Sequence, residues 1–477
     1  MHVAGGCREY ASLDRLARNS VRLRTFVGVA TFPFEDAKVG RSFPFVALVR
    51  FGTLSAAAAV CCAPQITHAG GFALLEQTAS GIGDAYAGVG ASGDDVSAMY
   101  FNPATLSLLG APQAAIGVHA IDIQSKFSDR GSTLPPAGAG LLPRGSTHDD
   151  AGDVLPLPNA YFGMPLNERI AFGFGLNAPF GLKTEYDDPW VGRFAGIRTK
   201  LYTVNANPAV SFKVNDTVSL GAGLNYQYAN AELTNAVILG LGTEGRARLK
   251  VDDYALGWNA GALFQLPSQT RIGVSYRSHL DYKLSGDTTV TTLSGVPLPT
   301  VSGATTADVR FPDSAELSIA QPLGNGFELR ADANWIHWST IDTIVATDPA
   351  SGLPRDVLQF RFKNTTRYAL GATYKMNERW TFRGGTAYDE SPVQDAFRTV
   401  RLPDDDRVWA TIGARWQPTQ QLMFDAGYAH LFVHGTTINN SRTQLNGAPA
   451  ALFTSVVTGA YDNAVDIFSL QATYSFR

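Results

Sequence analysis

From Tyr202 the chain alternates strictly. Tyr202, Val204, Ala206, Pro208, Val210 and Phe212 share one face; Thr203, Asn205, Asn207, Ser211 and Lys213 share the other. A period of two marks a strand with one apolar face. The pattern recurs from Val218 to Tyr228, from Tyr254 to Phe264, and in Val408–Trp416, whose apolar set opposes Arg407, Thr411 and Arg415. Several runs reach ten residues or more, enough to cross a bilayer when tilted. The runs predict strands at 113–125, 157–166, 169–179, 199–214, 217–232, 251–266, 270–284, 307–321, 326–340, 357–375, 379–388, 406–417, 421–434 and 463–476. These are fourteen, and bacterial barrels close with an even number. The expected fold class is therefore all-β, a transmembrane antiparallel β-barrel.

The connections carry the asymmetry of such a barrel. Short turns (Asn167-Glu168, Asn215-Asp216, Pro267-Ser268, Gly324-Asn325, Asn377-Glu378, Pro418-Thr419) alternate with long stretches at 126–156, 180–198, 233–250, 285–306, 341–356, 389–405 and 435–462. Most of the long stretches are polar and rich in Gly, Ser, Thr and Pro, and are expected to be external loops.

Gly70–Leu109 follows neither period. Its Gly, Ala and Ser with single apolar residues between them suit a compact irregular segment that something else must hold, and a hatch inside the lumen is the natural place. The stretch resembles the hatch of the FadL/TodX family of outer-membrane channels for long-chain fatty acids and aromatic hydrocarbons. The resemblance lies in Gly71-Phe72, in Ser80–Gly88, in Asp94-Asp95 and above all in Asn102-Pro103-Ala104; it resumes at Asn177–Leu182, Lys200–Phe212, Tyr276–Ser278 and Leu402–Trp409.

That resemblance implies a bacterial outer-membrane location and passive uptake of hydrophobic molecules. It places Asn102, Pro103 and Ala104 in the hatch; an Asn before Pro also sets a turn. It makes Asn177, Ala178, Pro179, Phe180 and Gly181 a kink in the third strand that opens the wall sideways, consistent with a proline that cannot donate to a ladder. It directs Phe72 to an internal ligand pocket, with hatch packing as the plain alternative. It assigns Phe180, Tyr186, Trp190 and Phe194 to an exposed apolar groove for first capture, since an apolar patch on an outer loop is otherwise a liability. The implied partners are the hydrophobic substrate, outer-membrane lipid and lipopolysaccharide, and the assembly machinery that reads the last strand, whose Phe468–Phe476 pattern is followed by an atypical Arg477. A monomer is expected.

Residues 1–69 form an N-terminal extension plus signal peptide: Phe51–Ala63 is apolar, Arg41 and Arg50 precede it, and Thr67-His68-Ala69 suits cleavage. The expected division is thus 1–69, a hatch domain at 70–112 and a barrel at 113–477. Mean hydropathy is −0.03, as expected when polar lumen residues offset lipid-facing ones. Cys7, Cys61 and Cys62 all precede Gly70, so the mature chain holds no thiol for disulfides or metal. After residue 69, thirty Lys and Arg stand against thirty-eight Asp and Glu, which does not suit nucleic acid.

Arg271, Arg277, Arg361, Arg367, Arg407 and Arg415 fall on expected inward faces. They are read chiefly as partners of acids such as Asp253, Asp281 and Asp425, with a substrate carboxylate as the alternative. Gly88–Gly93 matches GxGxxG without the strand a dinucleotide site needs. His430 and His434 share a strand face but lack a third ligand. No cofactor and no catalytic residues are expected. The rival functions are an outer-membrane lipid-active enzyme, which would need a Ser/His/acid set, and a general porin.

Overall fold

The computed structural model describes residues 71–445 and 449–476. The expected signal peptide, the three cysteines, Gly70 and Arg477 lie outside them. Fourteen antiparallel strands close a ring: β1 Gln113–Asp129, β2 Val154–Pro165, β3 Ile170–Asn177, β4 Arg198–Lys213, β5 Val218–Gly240, β6 Thr243–Gln265, β7 Arg271–Arg277, β8 Ser314–Gly324, β9 Phe327–Ile336, β10 Thr365–Lys375, β11 Trp380–Asp389, β12 Arg407–Trp416, β13 Leu422–Val433 and β14 Thr454–Ser475. Each pairs with its neighbour, and β14 returns to β1 from Gln113↔Ser475 to Asp129↔Gly459.

The alternation is inside out, as lipid demands. In β4, Tyr202, Val204, Val210 and Phe212 are exposed, whereas Thr203, Asn205, Asn207 and Ser211 are buried. Tyr202, Tyr226, Tyr228 and Tyr254 cluster on the outer face of β4–β6, with ring centroids 4.9–6.0 Å apart. Such aromatic girdles mark a membrane boundary.

Several expectations need correction. The stretches 233–250 and 285–306 are not structureless loops. Strands β5 and β6 run on as one hairpin to Leu241-Gly242, and further strands at Leu280–Thr292 and Gly303–Phe311 pair above the ring. Above the membrane both faces of a strand meet polar surroundings, so the ladder continues while the contrast that betrays it in sequence disappears. Conversely, 270–284 and 307–321 are not continuous: the first breaks at Ser278-His279, the second at Pro312-Asp313. Proline lacks the donor a ladder needs.

Residues Gly71–Leu109 lie against the inward faces of the ring. They form short turns: Ala79–Ile82 capped by Thr78, Val96–Tyr100 capped by Asp95, and Pro103–Leu108 capped by Asn102 with proline in the first turn. Contact with the wall is backbone to backbone at lumenal glycines. A Cβ on Gly221 would stand 2.3 Å from the Ala104 nitrogen, and one on Gly413 2.7 Å from the Gly83 Cα.

Candidate functional site

The third strand is broken where expected. The β2–β3 ladder ends at Ala160↔Leu176. Beyond it, residues Val154–Asn159 of β2 pair with β1, and Pro156 and Pro158 on this stretch suit an unpaired edge, lacking N–H groups. On the far side β3 pairs with β4 up to Asn177↔Asn205, and the ladder resumes at Gly181↔Tyr202. Between them the Thr203 hydroxyl bridges the kink, accepting from the Phe180 N–H (3.0 Å) and donating to the Phe180 carbonyl (2.8 Å).

The N-terminal segment seats itself in this break. The Leu74 N–H donates to the Pro179 carbonyl (2.8 Å) and the Gly181 N–H to the Phe72 carbonyl (3.0 Å), a short antiparallel bridge between Ala73 and Phe180. The Gly71 N–H donates to Asp404 Oδ2 at 2.7 Å. Phe72 is buried in an aromatic box, with ring centroids 4.7 Å from Trp338, 5.6 Å from Phe311, 5.9 Å from Phe180 and 6.4 Å from Phe362. The segment also walls a cavity of about 130 Å³. Its apolar lining includes Leu74, Ile121, Leu155, Leu431 and Ile467, and Glu76, Arg407 and Asp404 form a polar end.

Asn102 pins two parts of the inner segment to the wall. Its side chain accepts from the Ala104 N–H (3.0 Å) and donates to the carbonyls of Gly90 (2.8 Å) and Ala262 on β6 (3.0 Å). Pro103 starts the next turn, and Ala104 meets Gly221. The Asp94-Asp95 pair anchors the same segment. Arg330 on β9 bridges Asp84 (2.9 Å) and Asp94 (2.6 Å); Arg415 on β12 binds Asp95 (2.8 Å) and Asp425 (2.9 Å); Arg383 on β11 joins Asp425 (3.0 Å). Burial would push the Asp94 carboxyl up, but Arg330 and Arg383 hold it well below the usual carboxylate range.

Sequence reasoning missed Arg330 and Arg383, whose partners lie far away along the chain. Of the arginines and acids expected on inward faces, Arg415 and Asp425 do pair. Arg277 and Arg367 instead donate to carbonyls of the inner segment, at Tyr100 and Ala85 (both 2.6 Å), and Asp281 is exposed beside Arg310.

The expected groove of Phe180, Tyr186, Trp190 and Phe194 does not form an exposed surface; all four are buried. Phe180 belongs to the Phe72 box. Tyr186 and Trp190 stack at 3.9 Å, and their polar atoms are satisfied by the Val400 carbonyl (2.7 Å) and the Gly196 carbonyl (2.9 Å). An apolar cluster on a long connection buries itself in the cap whenever the cap is thick enough. Only Phe194 reaches a small outer cavity, of about 80 Å³, shared with Leu233, Val237, Phe453, Arg355 and Arg442.

Comparison with known proteins agrees with this architecture. The family described as outer membrane protein transport protein (OMPP1/FadL/TodX) matches residues 60–476. Outer membrane protein P1 of Haemophilus influenzae is 29% identical over 467 residues, covering 90% of this chain and 100% of the relative. A long-chain fatty acid transport protein of Escherichia coli O157:H7 is 28% identical, covering 78% and 90%. The crystal structure of a Pseudomonas aeruginosa FadL homologue superposes with a TM-score of 0.78 at 26% identity, covering 86% of this chain and 100% of the other. The Ralstonia pickettii toluene transporter TbuX shares the fold, with a TM-score of 0.59 at 17% identity over 80% and 94%. With its closed ring, lipid-facing apolar positions and full-length match, this chain is an outer-membrane β-barrel belonging to the OMPP1/FadL/TodX family of transport proteins.

Proposed function

We propose that the chain lets hydrophobic molecules, long-chain fatty acids or aromatic hydrocarbons, cross the outer leaflet passively as a monomer. Substrate captured outside enters the inner cavity; the hatch rearranges by releasing Phe72–Gln77; and substrate leaves sideways between β2 and the kink at Asn177–Gly181. The observation that carries this reading is the seating of Phe72–Leu74 in the broken ladder, between cavity and break. The free space supports it too: about 130 Å³ is less than the roughly 300 Å³ at which ligand pockets begin, so a long chain needs the volume that this segment occupies. The charge anchors on Asp84, Asp94 and Asp95 favour movement of the first residues alone. No chemical step and no energy source are required, and downstream consumption sets direction. Seating against lipid and lipopolysaccharide, and insertion by the assembly machinery through β14, belong to the same reading.

Replacing Asn177–Gly181 with a regular strand sequence tests it. Uptake of labelled oleate or toluene is expected to stop while the barrel keeps its heat-modifiable gel mobility; unchanged uptake of both refutes lateral exit. Which of the two labels enters through the native protein assigns the substrate class. A large ion conductance in planar bilayers would instead support a general porin.

A further inference from the structure

Two amides face each other at the foot of the broken ladder. The β2–β3 pairs end at Ala160↔Leu176; one step further in the same register, Asn159 stands opposite Asn177. Both residues are on the inward face and only 4% exposed. Each is held from behind by other side chains. The Asn177 carbonyl oxygen accepts from Asn205 Nδ2 (3.1 Å), which also donates to Asn225 (3.1 Å); Asn177 Nδ2 is left without an acceptor. Asn159 Nδ2 meets His119 Nε2 at 2.8 Å, and His119 Nδ1 meets the Ser469 hydroxyl at 2.6 Å; Asn159 Oδ1 is left without a donor. Beside them the buried Tyr161 hydroxyl is also unpaired. A Cβ on Gly175 would stand 2.9 Å from the Tyr161 ring and 3.3 Å from Asn177 Nδ2, so these groups crowd one spot on the wall. Buried polar atoms are nearly always paired, and leaving one alone is costly.

A free donor and a free acceptor across a gap define what fits between them. A hydroxyl accepts from Asn177 and donates to Asn159. Water does the same, and a hydroxyl head group replaces it without losing either bond. A methyl or aromatic C–H end satisfies neither. A carboxylate has no proton for Asn159 Oδ1 and meets no cation: the guanidinium in this network, Arg277, binds Asn225 and the Tyr100 carbonyl instead. A buried charge without a partner is strongly disfavoured. The position adds to the chemistry. Gln77 Nε2 donates to the Ala178 carbonyl (3.0 Å), next to Asn177, so the movable start of the chain ends at these amides.

We propose that Asn159 and Asn177 read the head of a departing molecule and favour an uncharged hydroxyl, that of a long-chain alcohol or of a carboxyl carrying its proton, over a bare hydrocarbon and over a carboxylate. This rests on the lateral-exit reading and adds the chemical feature that the exit selects.

The test uses cells carrying the full chain, with uptake counted above that of cells lacking it. The labelled probes are oleyl alcohol, 9-octadecene and oleate. Native cells are expected to take up the alcohol at least about tenfold faster than the alkene, as two hydrogen bonds allow. Asn177→Leu and Asn159→Leu, close in volume, each remove one bonding atom and are expected to lower that ratio about threefold or more, with heat-modifiable mobility reporting a folded barrel. Equal native uptake of alcohol and alkene overturns the proposal. So does an unchanged ratio in both folded variants, since the amides would then hold water only, and so does an equal loss of both probes, which a merely structural role would give. Should a variant fail to fold, the native ratio still decides. Relative to the alcohol, oleate uptake is expected to rise as the pH falls; a flat or opposite slope overturns the exclusion of charge. Undiminished alcohol uptake after the Asn177–Gly181 replacement sinks the lateral exit itself, whereas unchanged ratios in a chain whose uptake that replacement does stop sink this inference alone.

Discussion

Replacing Phe72 with alanine removes the side chain around which the N-terminal segment is seated. Phe72 is 9% exposed and touches four aromatic rings. Truncating a buried phenylalanine costs about 3–5 kcal/mol. That cost falls on seating rather than on the ring, because hydrogen bonds donated by three backbone N–H groups, Gly71 to the Asp404 carboxylate, Leu74 to the Pro179 carbonyl and Gly181 to the Phe72 carbonyl, are the other principal ties of the segment's first residues. At about 1.4 kcal/mol per decade, the unseated population rises by roughly two to three and a half powers of ten. Amide hydrogen exchange followed by mass spectrometry reads this directly. Peptides covering 72–78 and the Gly181 amide are expected to lose protection by that factor. Peptides covering 79–109 are expected to keep theirs, since Arg330, Arg383 and Arg415 hold them independently. Protection unchanged at 72–78, or lost equally through 79–109, would refute the division of the segment into a movable start and a fixed remainder.

Two further outcomes follow from the same geometry. Gly221→Val places a branched side chain where a Cβ already stands 2.3 Å from the Ala104 backbone; overpacking costs about 1–3 kcal/mol, so residues 102–106 are expected to lose exchange protection and bilayer conductance to rise, whereas native conductance with native protection would contradict the close approach. Burial, opposed by the Arg407 charge, pushes the Glu76 carboxyl up from 4.5 to about 7; the seated state therefore holds a proton that the released state gives up, so seating is strongest below pH 4.5 and weakens as pH rises to about 7, by up to roughly two decades, and exchange at 72–78 corrected for its intrinsic pH dependence should show this slope in the native chain and a flat line in Glu76→Gln.

The ring was legible because lipid imposes contrast. From Tyr202 to Phe212, each lipid-facing position is apolar and most of those opposite are polar, so strand, facing and length could be read together. Contrast fails above the membrane, where 233–250 looked like a loop and proved to be hairpin. The break at Asn177–Gly181 was visible through Pro179; the break at Pro312 was hidden by convincing alternation on both sides. Within the site, Asn102-Pro103-Ala104 and Asp94-Asp95 were visible as motifs, but their partners Ala262, Arg330, Arg383 and Arg415 are set by closure of the ring, which no local pattern encodes. Glycines at lumenal strand positions, such as Gly221 and Gly413, were a readable signal of close backbone approach that went unused. Tyr186 and Trp190 show the converse: aromatic richness reports burial as readily as it reports an exposed surface.

If substrate leaves by the proposed lateral route, the bridge between Ala73 and Phe180 sets how long that route can stay ajar. Once the first residues leave, the Pro179 carbonyl and the Gly181 N–H have lost their partners beside a hydrocarbon phase, and each orphaned group costs about 1–3 kcal/mol. Cargo made of methylenes or aromatic carbon cannot satisfy them. On the proposed route, the vacancy would draw the chain's own front end back once a molecule had passed, and thermal motion alone would reseal the leaflet, without a latch, a partner or a fuel.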